Sequence, residues 1–286
     1  MQEIYRDRKA RIQQTCHRYG LGNFTSPSSQ LGSDYRLMEN QFPWPAEKSL
    51  MYQPRWNLLY CWIHKAASSS WSEVFFYLKG REVPPSRLHE ATQYFSLRSH
   101  GVDLASALRS SLVFTIVRHP FDRLVSAYRD KFELARKYAY VFQHYASKIL
   151  SVSNPDPSGR GHHLRRPTFS EFVTYLLRTP VAEYNDHWVP YWLHCHLCQL
   201  EYDVIGKMET LKEDIDFITE RSGLKEVNVT LPWANRKSSS RDKDSVSLEY
   251  FKQLSRSQVE QLYNIFRPDF EMFGYDVSTY LNLSAP

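Results

Sequence analysis

Long hydrophobic runs are the first feature that this sequence lacks. No stretch approaches the roughly 20 apolar residues that span a bilayer, and the polar, charged start MQEIYRDRKARIQQ is unlike a secretory signal peptide. The chain as it stands is therefore expected to be soluble, so that a membrane anchor would have to precede it. No internal repeat is evident either.

A large excess of charge of one sign is also missing. The formal net charge is +5 over 286 residues, which argues weakly for an acidic partner and does not single out nucleic acid. A polyanionic sugar would fit equally well, and nucleic acid is not expected as a partner. The length and the 42% hydrophobic content suffice for a sizeable core, so one domain with loop insertions is expected.

Cysteine is scarce, and its four positions exclude some metal chemistry. They are Cys16, Cys61, Cys195 and Cys198. An even number permits two disulfides, although the sequence does not fix their pairing. Cys61 lies in a predicted strand, where a buried free thiol is expected. Cys195 and Cys198 alternate with His194 and His196, but a structural zinc site needs four ligands and no second ligand pair is present. We therefore expect a local or long-range disulfide here, and no metal.

Glycine is absent from the stretch around which the chain is organised, Asn57 to Trp71 (NLLYCWIHKAASSSW). The apolar run Leu58–Ile63 stops at His64 and Lys65, and small residues then lead into a helical pattern, which predicts a strand, a tight turn and a helix start. Backbone N–H groups, serine hydroxyls and a lysine at a helix N-terminus favour binding of an anion. The glycines of G-x-x-x-x-G-K-[ST] are missing, so a P-loop nucleotide kinase is a weak alternative.

A second strand, Leu112–Val117 (LVFTIV), ends at Arg118, and a helical pattern containing Ser126 follows. Ligands of open parallel sheets bind beyond the carboxyl ends of the strands. Because Lys65 and Arg118 both follow such ends, two cations are expected at one crevice, with Ser126 offering a hydroxyl to the same anion or simply facing solvent.

A third strand, Tyr202–Ile205, turning at Gly206 into an acidic helix at about 209–222, extends the alternating pattern. The predicted class is α/β, a P-loop-like three-layer fold with a central, mainly parallel sheet flanked by helices. Residues 1–55 are interpreted as a leader that packs along the domain, and residues 56–286 as a single catalytic domain.

Two polar stretches are candidates for binding anions. Residues 151–167 (SVSNPDPSGRGHHLRRP) form a basic insertion, which is either a solvated loop or a grip for an anionic substrate. Residues 235–244 (NRKSSSRDKD) are either a surface loop or a second phosphate-binding loop. Three glycosylation sequons, at Asn23, Asn228 and Asn282, favour a secretory compartment.

Three motifs carry a resemblance to a known family. HKAASSSW resembles the phosphosulfate loop of the Golgi carbohydrate sulfotransferases, and RHPFDRLVSAYRDKF resembles their 3′-phosphate motif. DHWVPYWLHCHLCQLEYDVIGKMETLKED is similar to the region after their acceptor site. Together the motifs cover about residues 57–275, and the most similar branch is the chondroitin, dermatan and HNK-1 type.

The resemblance implies a PAPS-dependent carbohydrate O-sulfotransferase. The donor would be 3′-phosphoadenosine 5′-phosphosulfate (PAPS), the product PAP, and the acceptor a hydroxyl of an anionic glycan or proteoglycan of the chondroitin or dermatan type, with no metal required. It also implies a Golgi-luminal glycoprotein domain of a single-pass type II membrane protein. The alternative of another class is a non-catalytic binding protein for anionic glycans, which would have no need to bind PAPS.

The resemblance also implies roles for individual positions. Lys65 and the loop after it would hold the 5′-phosphosulfate, Arg118 and Ser126 the 3′-phosphate together with Arg241, and Trp71 would either support the turn or stack near the nucleotide. One departure is His64, where many relatives have proline. The residues assigned to donor binding are Lys65, Ala66, Ala67, Ser68, Ser69, Ser70, Trp71, Arg118, Ser126 and Arg241.

The catalytic base is open between two histidines. Transfer to a sugar hydroxyl requires a residue that takes the proton, and histidine titrates in the right range. His187 lies in the family-like Asp186-His187-Trp188, whereas His100 lies about as far before the Arg118 motif as the catalytic histidine of the uronyl 2-sulfotransferases. Each could instead be structural. His89 and Glu90 are weaker candidates.

Overall fold

The computed structural model describes residues 2–21, 45–136, 139–153, 165–227 and 240–283, with only the backbone described for residue 85 and residues 240–245. These residues form two compact units. One, here called the sheet unit, contains the described residues within Met1–Arg118, Tyr191–Lys237 and Glu271–Gly274. The other, the helical unit, contains those within His119–Pro190, Ser238–Phe270 and Tyr275–Pro286.

The strands all belong to the sheet unit: β1 (Leu50–Gln53), β2 (Leu58–Cys61), β3 (Leu112–Val117) and β4 (Val204–Lys207). Its helices are α1 (Gln2–Tyr19), α2 (Ser68–Leu78), α3 (Ala91–Tyr94), α4 (Leu104–Ser110), α8 (Tyr191–His194) and α9 (Leu211–Arg221). The helical unit contains α5 (Pro120–Tyr128), α6 (Tyr140–Ser153), α7 (Phe169–Arg178), α10 (Ser240–Phe251) and α12 (Ser278–Leu283). Helix α11 (Arg256–Phe273) begins in the helical unit, and its last residues are counted with the sheet unit.

The four strands form one sheet in the order β1-β2-β3-β4. The β2–β3 and β3–β4 pairs are parallel and the β1–β2 pair is antiparallel, which confirms the mainly parallel sheet. Strand β1 was not predicted, and it lies within the residues interpreted as a leader. Its four residues stand between Pro45 and Pro54, so the surrounding sequence has the composition of a loop.

Helices and loops cover both faces of the sheet. On one face, Tyr60 and Phe114 pack with Phe75 of α2 and with residues of α1 and α9 in one buried cluster. On the other face, Cys61 forms a disulfide with Cys195, just after α8. The prediction of a free thiol at Cys61 was therefore wrong, because a cysteine 134 residues away in sequence meets it on the sheet. The three-layer arrangement is confirmed.

Helix α1 lies against the edge strand β4. Arg8 Nη1 donates hydrogen bonds to the backbone oxygen of Ile205 at 2.7 Å and to Asp214 Oδ1 at 2.9 Å. A guanidinium on an edge-strand carbonyl satisfies a group that could otherwise pair with another chain. A second disulfide, Cys16–Cys198, ties the same helix to the sheet unit, so both cysteines of the Cys195/Cys198 pair form long-range disulfides.

Strand β4 continues past the predicted turn at Gly206. The predicted strand ended at Ile205, whereas Gly206 and Lys207 are both in β4. A Cβ atom at Gly206 would lie 2.5 Å from Ile116 Cδ1 and 3.3 Å from Asp214 Cβ. A larger residue here would force the buried Ile116 side chain and Asp214 to shift, so Gly206 fits the close packing of β4 on its neighbours and does not mark a turn.

The helical unit is built on an aromatic core. The ring of Phe121 in α5 stacks on Phe251 of α10 at 4.5 Å, and Phe169 of α7 lies 5.5 Å from the same ring. Helix α7 begins with a capping box, in which Thr168 and Glu171 each accept a hydrogen bond from the other's backbone N–H. None of the helices in the described part of the chain combines the length and the apolar character of a membrane span.

Candidate functional site

The loop between β2 and α2 has an unusual backbone. Lys65 and Ala67 have φ values of 70° and 60°, in the left-handed region that glycine adopts without strain. For other residues such a conformation costs on the order of 1–3 kcal/mol and persists only where the surrounding structure enforces it. The glycine-free turn therefore contains two backbone conformations that glycine usually supplies, at residues that adopt them only with strain.

This backbone leaves the N-terminus of α2 open to a ligand. Ala67 is the N-cap and provides no side-chain cap, and the first helical bond runs from the Trp71 N–H to the Ala67 carbonyl. The N–H groups of the first turn have no carbonyl one turn earlier to which they could donate. N–H groups at a helix start, with the helix dipole behind them, favour a phosphate or sulfate group, and the role of this loop and of Lys65 in binding one stays a prediction.

The three serines of the loop are not equivalent. Ser69 is exposed, whereas Ser68 and Ser70 are buried. Ser70 Oγ is enclosed, 2% of its residue is exposed, and the described part of the chain supplies no hydrogen-bond partner for it. A buried hydroxyl without a partner costs free energy, and an anion in the loop would supply the missing acceptor. The donor set therefore fits the phosphosulfate of PAPS.

Trp71 belongs to the core. Its ring is fully buried and lies 5.7 Å from the ring of Tyr60 in β2 and 4.6 Å from that of Phe114 in β3. Of the two roles considered for this residue, the geometry favours support of the turn.

Arg118 lies at the same edge of the sheet as Lys65. Strands β2 and β3 are parallel, Cys61 pairs with Thr115, and Arg118 directly follows the last residue of β3. Its backbone N–H donates a hydrogen bond of 3.0 Å to the hydroxyl of Tyr191, a fully buried residue of α8. The tyrosine fixes the backbone at the point where the arginine leaves the strand.

A third cation at this edge was missed by the sequence analysis. Lys207 ends β4 and pairs with Val117, the residue before Arg118. Its ammonium donates to the backbone oxygen of Phe273. Burial lowers the pKa of the Lys207 ammonium below its ordinary value. The only available signal was its place after a predicted strand, and that strand was ended two residues too early.

In the helical unit, Ser126 lies in α5 and is partly exposed. The helix is capped by His119, whose Nδ1 accepts a hydrogen bond from the Phe121 N–H at 3.3 Å. The role of Ser126 at a 3′-phosphate stays a prediction.

His187 is buried in the helical unit, with 6% of its surface exposed. Its Nδ1 lies 2.6 Å from Asn185 Oδ1 and 2.9 Å from Asp186 Oδ1. Because a carboxylate oxygen can only accept, Nδ1 carries the proton and the lone pair of the neutral ring is on Nε2. This is the tautomer that a general base requires.

His100 has a different environment. It lies in a turn beside the edge strand, where its ring packs on Tyr52 of β1 at 5.8 Å. Its Nδ1 is 3.0 Å from the Ser96 carbonyl and 3.1 Å from Ser99 Oγ. Tyr52 pairs with Leu59, whereas the Lys65 loop leaves the other end of β2. These contacts describe a residue that stabilises its own turn.

The weaker candidates lie on the surface. The carboxylate of Glu90 accepts two hydrogen bonds from Arg87, which lower the pKa of Glu90 below its ordinary value. An ionised carboxylate held by an arginine is a poor proton acceptor.

Some predicted features lie outside the described residues. These are the side chain of Arg241, most of the basic insertion at 151–167, residues 235–239, and the sequons at Asn23 and Asn228. Residues 240–244 of the stretch predicted as a loop instead begin helix α10. Asn282 is exposed on α12.

The fold and the residues at its strand ends point to a class of protein. The sheet is mainly parallel, and cationic residues follow the carboxyl ends of three of its strands, which is where open α/β folds bind their ligands. A model of the sulfotransferase family matches residues 48–276. The chain belongs to the sulfotransferase family.

Its relatives are carbohydrate sulfotransferases. The chain is 33% identical to carbohydrate sulfotransferase 11 of Mus musculus over 251 residues, which is 82% of this chain and 69% of the relative. It is 30% identical to carbohydrate sulfotransferase 12 of Xenopus laevis, with 95% of this chain and 68% of the relative covered. Carbohydrate sulfotransferase 10 of Xenopus laevis is 30% identical over 78% of this chain and 66% of its own length. No solved structure matches the chain.

Proposed function

We propose that this protein transfers a sulfuryl group from PAPS to a hydroxyl of a glycan, namely a glycosaminoglycan of the chondroitin or dermatan type. The observation that carries the proposal is the strained, glycine-free loop between β2 and α2, with Lys65 beside it and Arg118 at the next strand end. The names of the relatives support a carbohydrate acceptor.

The sheet unit supplies the groups for the 5′ side of the donor. PAPS, when bound, supplies the sulfuryl group. Lys65, the N–H groups at the start of α2 and Ser70 Oγ would hold its phosphosulfate. Negative charge grows on the departing phosphate during transfer, and fixed donors aimed at that charge stabilise the transition state. Arg118, Ser126 and Arg241 are proposed for the 3′-phosphate.

His187 is our candidate for the base. Its Nε2 would take the proton of the acceptor hydroxyl, while Asp186 accepts from Nδ1–H and stabilises the charge that the ring then carries. His100 remains the alternative, and its contacts to Ser96 and Ser99 make it the weaker one.

The compartment and the partners are proposed on the same grounds. Disulfides persist in oxidising compartments, and both disulfides of the sheet unit agree with the Golgi lumen, where a type II anchor preceding this chain would hold it. The partner is an anionic glycan or proteoglycan, with neither nucleic acid nor a metal ion required. We retain residues 1–55 as a leader and 56–286 as the catalytic domain.

The test is transfer of labelled sulfate from PAPS to a panel of chondroitin, dermatan, heparan and terminal glucuronyl acceptors, followed by disaccharide analysis. We expect label on a chondroitin or dermatan acceptor, in the presence or absence of a chelator. If no acceptor is labelled and PAP does not raise the melting temperature, the enzyme proposal is wrong and the glycan-binding alternative stands.

The choice of base is tested by comparing His187→Ala with His100→Ala. Loss of a general base lowers turnover by about 10²- to 10⁴-fold and leaves donor affinity nearly intact. We expect this result for His187→Ala and not for His100→Ala. Full activity in both variants would reject both residues.

A further inference from the structure

Arg123 is a buried arginine for which donor binding provides no role. It lies in α5, five residues after Arg118, and only 2% of it is exposed. Charged side chains are almost never fully buried unless their donors are satisfied. What its guanidinium contacts therefore indicates why it is there.

The guanidinium donates to the backbone on both sides of His187. Arg123 Nη1 donates to the Val189 carbonyl at 2.7 Å, and Nη2 donates to the Asp186 carbonyl at 3.2 Å. Two nitrogens of the same guanidinium thus bind the backbone carbonyls of the residue before His187 and of the residue after Trp188.

Both partners of this contact are fixed. On the helix side, Asp122 Oδ1 accepts a hydrogen bond of 2.7 Å from the Tyr280 hydroxyl. On the loop side, the N–H groups of Trp188 and Val189 both donate to the Asn185 carbonyl, which makes a tight turn. The ring of Trp188 is fully buried. Arg123 is therefore a rigid link between α5 and the His187 turn.

We propose that Arg123 is a positioning residue, which sets the direction of the His187 ring by holding the carbonyls of Asp186 and Val189. This inference rests on the proposed function, in which His187 Nε2 takes the acceptor proton. The consequence is that one short sequence, RHPFDRLVS, supplies a donor-binding arginine at its start and orients the base from its middle.

Arginine is specifically required for this geometry. Its fork reaches two acceptors at once, whereas the single ammonium of lysine is a point donor. Arg123→Lys keeps the charge and most of the volume, and it loses one of the two carbonyl contacts.

The experiment compares Arg123→Lys with wild type, with turnover expressed per PAP-binding site so that unfolded protein does not count. A misplaced catalytic group can cost about a hundredfold, and we expect kcat to fall between about tenfold and about a hundredfold. The dissociation constant of PAP should stay within about twofold, since donor-binding residues are unchanged.

A double-mutant cycle separates positioning from a general structural effect. If Arg123 acts through His187, then Arg123→Lys has no further effect on kcat in the His187→Ala background. Equal fold losses in both backgrounds would contradict the proposal. A rise of the PAP dissociation constant that accounts for the whole loss would contradict it too, because Arg123 would then be a donor-binding residue.

A spectroscopic readout keeps this inference distinct from the choice of base. The ring ¹⁵N signals of His187, assigned by their absence in His187→Gln, should show a fixed Nδ1–H tautomer in wild type and averaged signals in Arg123→Lys. If His187→Ala keeps full turnover, the assignment of His187 as the base is wrong. Separately, if the ring signals of His187 are unchanged in Arg123→Lys, the positioning role of Arg123 is wrong, whatever the turnover shows. Arg123→Gln is the second variant should Arg123→Lys yield no PAP-binding protein.

Arg129→Lys is the matched control. Arg129 follows α5 directly, and its Nε pairs with Glu133 at 3.1 Å in a partly exposed ion pair. Such pairs contribute little, so kcat and the ring signals should match wild type. A loss like that of Arg123→Lys would show that any arginine change in this region disturbs the site, and would contradict the specific link.

Discussion

In the sheet unit, the groups assigned to the 5′ side of the donor lie in and after the loop that follows β2. The last residue of this strand, Cys61, is cross-linked to Cys195, and Lys65 and Ala67 of the loop are in the left-handed region. In the helical unit, which contains no cysteine, the Nδ1 of His187 lies within hydrogen-bond distance of Asp186, and the fully buried Trp188 follows it in the chain. Arg123 donates to the backbone carbonyls of Asp186 and Val189 on either side of this pair. The difference suggests a division of work. Fixed N–H groups suit a charged donor of constant shape, whereas the base needs a defined ring direction and proton position.

The largest expected effect comes from removing a disulfide of the sheet unit. Deleting a native disulfide typically costs about 2–5 kcal/mol, and we expect Cys61→Ala/Cys195→Ala to lose stability in that range. The matched variant is Cys16→Ala/Cys198→Ala. The Cys16–Cys198 disulfide joins residues 182 apart in sequence, and the Cys61–Cys195 disulfide joins residues 134 apart. Because the entropy of loop closure changes slowly with loop length, the two disulfides restrict the unfolded chain to nearly the same extent.

The two disulfide variants should differ in PAP binding. Only Cys61 ends the strand that leads into the Lys65 loop, so its removal should weaken PAP binding more. Calorimetric titration with PAP measures this. Equal PAP affinities in the two variants would show that the cross-link does not support the loop.

Lys65→Ala should lower turnover next most. Removing one donor aimed at developing charge costs about 10²- to 10³-fold in kcat. Lys79→Ala is the control, because Lys79 is exposed at the C-cap of the same helix α2, and it should behave as wild type in the sulfate-transfer assay. Turnover of Lys65→Ala within tenfold of wild type would remove Lys65 from the catalytic role.

Tyr191→Phe should have a smaller effect, confined to the donor. The change leaves the Arg118 N–H without its acceptor, at a cost of about 1 kcal/mol or somewhat more, and the dissociation constant of PAP should rise about fivefold. Tyr202→Phe removes an equally buried hydroxyl that donates to the Cys195 carbonyl at 2.7 Å. Tyr202→Phe should lose a similar amount of stability while its affinity for PAP stays unchanged. If Tyr191→Phe and Tyr202→Phe bind PAP equally well, the link between Tyr191 and Arg118 is contradicted.

The smallest effect has the opposite sign. Ala67→Gly replaces an alanine whose backbone is in the left-handed region. The substitution relieves strain in the folded state, but it also gives the unfolded chain more conformational freedom, which opposes folding. The net effect should be a stabilisation of about 0.5 kcal/mol. Ala66→Gly is the control: Ala66 is fully buried and its φ is not in the left-handed region. It should destabilise by about 1 kcal/mol. Thermal unfolding measures both, and changes of the same sign would show that the loop is not strained at Ala67.

The sequence predicted the parts of the fold that depend on local pattern. The runs ending before His64 and at Val117 are uninterrupted and apolar, and each is followed by a helical pattern, so β2, β3 and the two cations after them were found. Strand β1 was missed because it is short and stands between prolines. Gly206 was taken for a turn because only the packed structure brings Ile116 against it.

The unpredicted parts of the site depend on contacts distant in sequence. Cys61 meets Cys195, Tyr191 meets Arg118 and Lys207 pairs beside Val117, and no local pattern encodes those meetings. The left-handed Lys65 and Ala67 were hidden for another reason, since glycine is the usual sign of such a backbone and it is absent here. His187 was singled out by the family-like Asp186-His187-Trp188, and its role as the base stays a prediction.

The most direct test of the account is amide hydrogen exchange of the β2–α2 loop with and without saturating PAP. If the 5′-phosphate binds the N–H groups at the start of α2, exchange of residues 68–70 should slow markedly in wild type and much less in Lys65→Ala at the same fractional occupancy. Unchanged exchange at these amides, under conditions where titration shows the protein saturated with PAP, would contradict the central claim that this strained loop is the donor site.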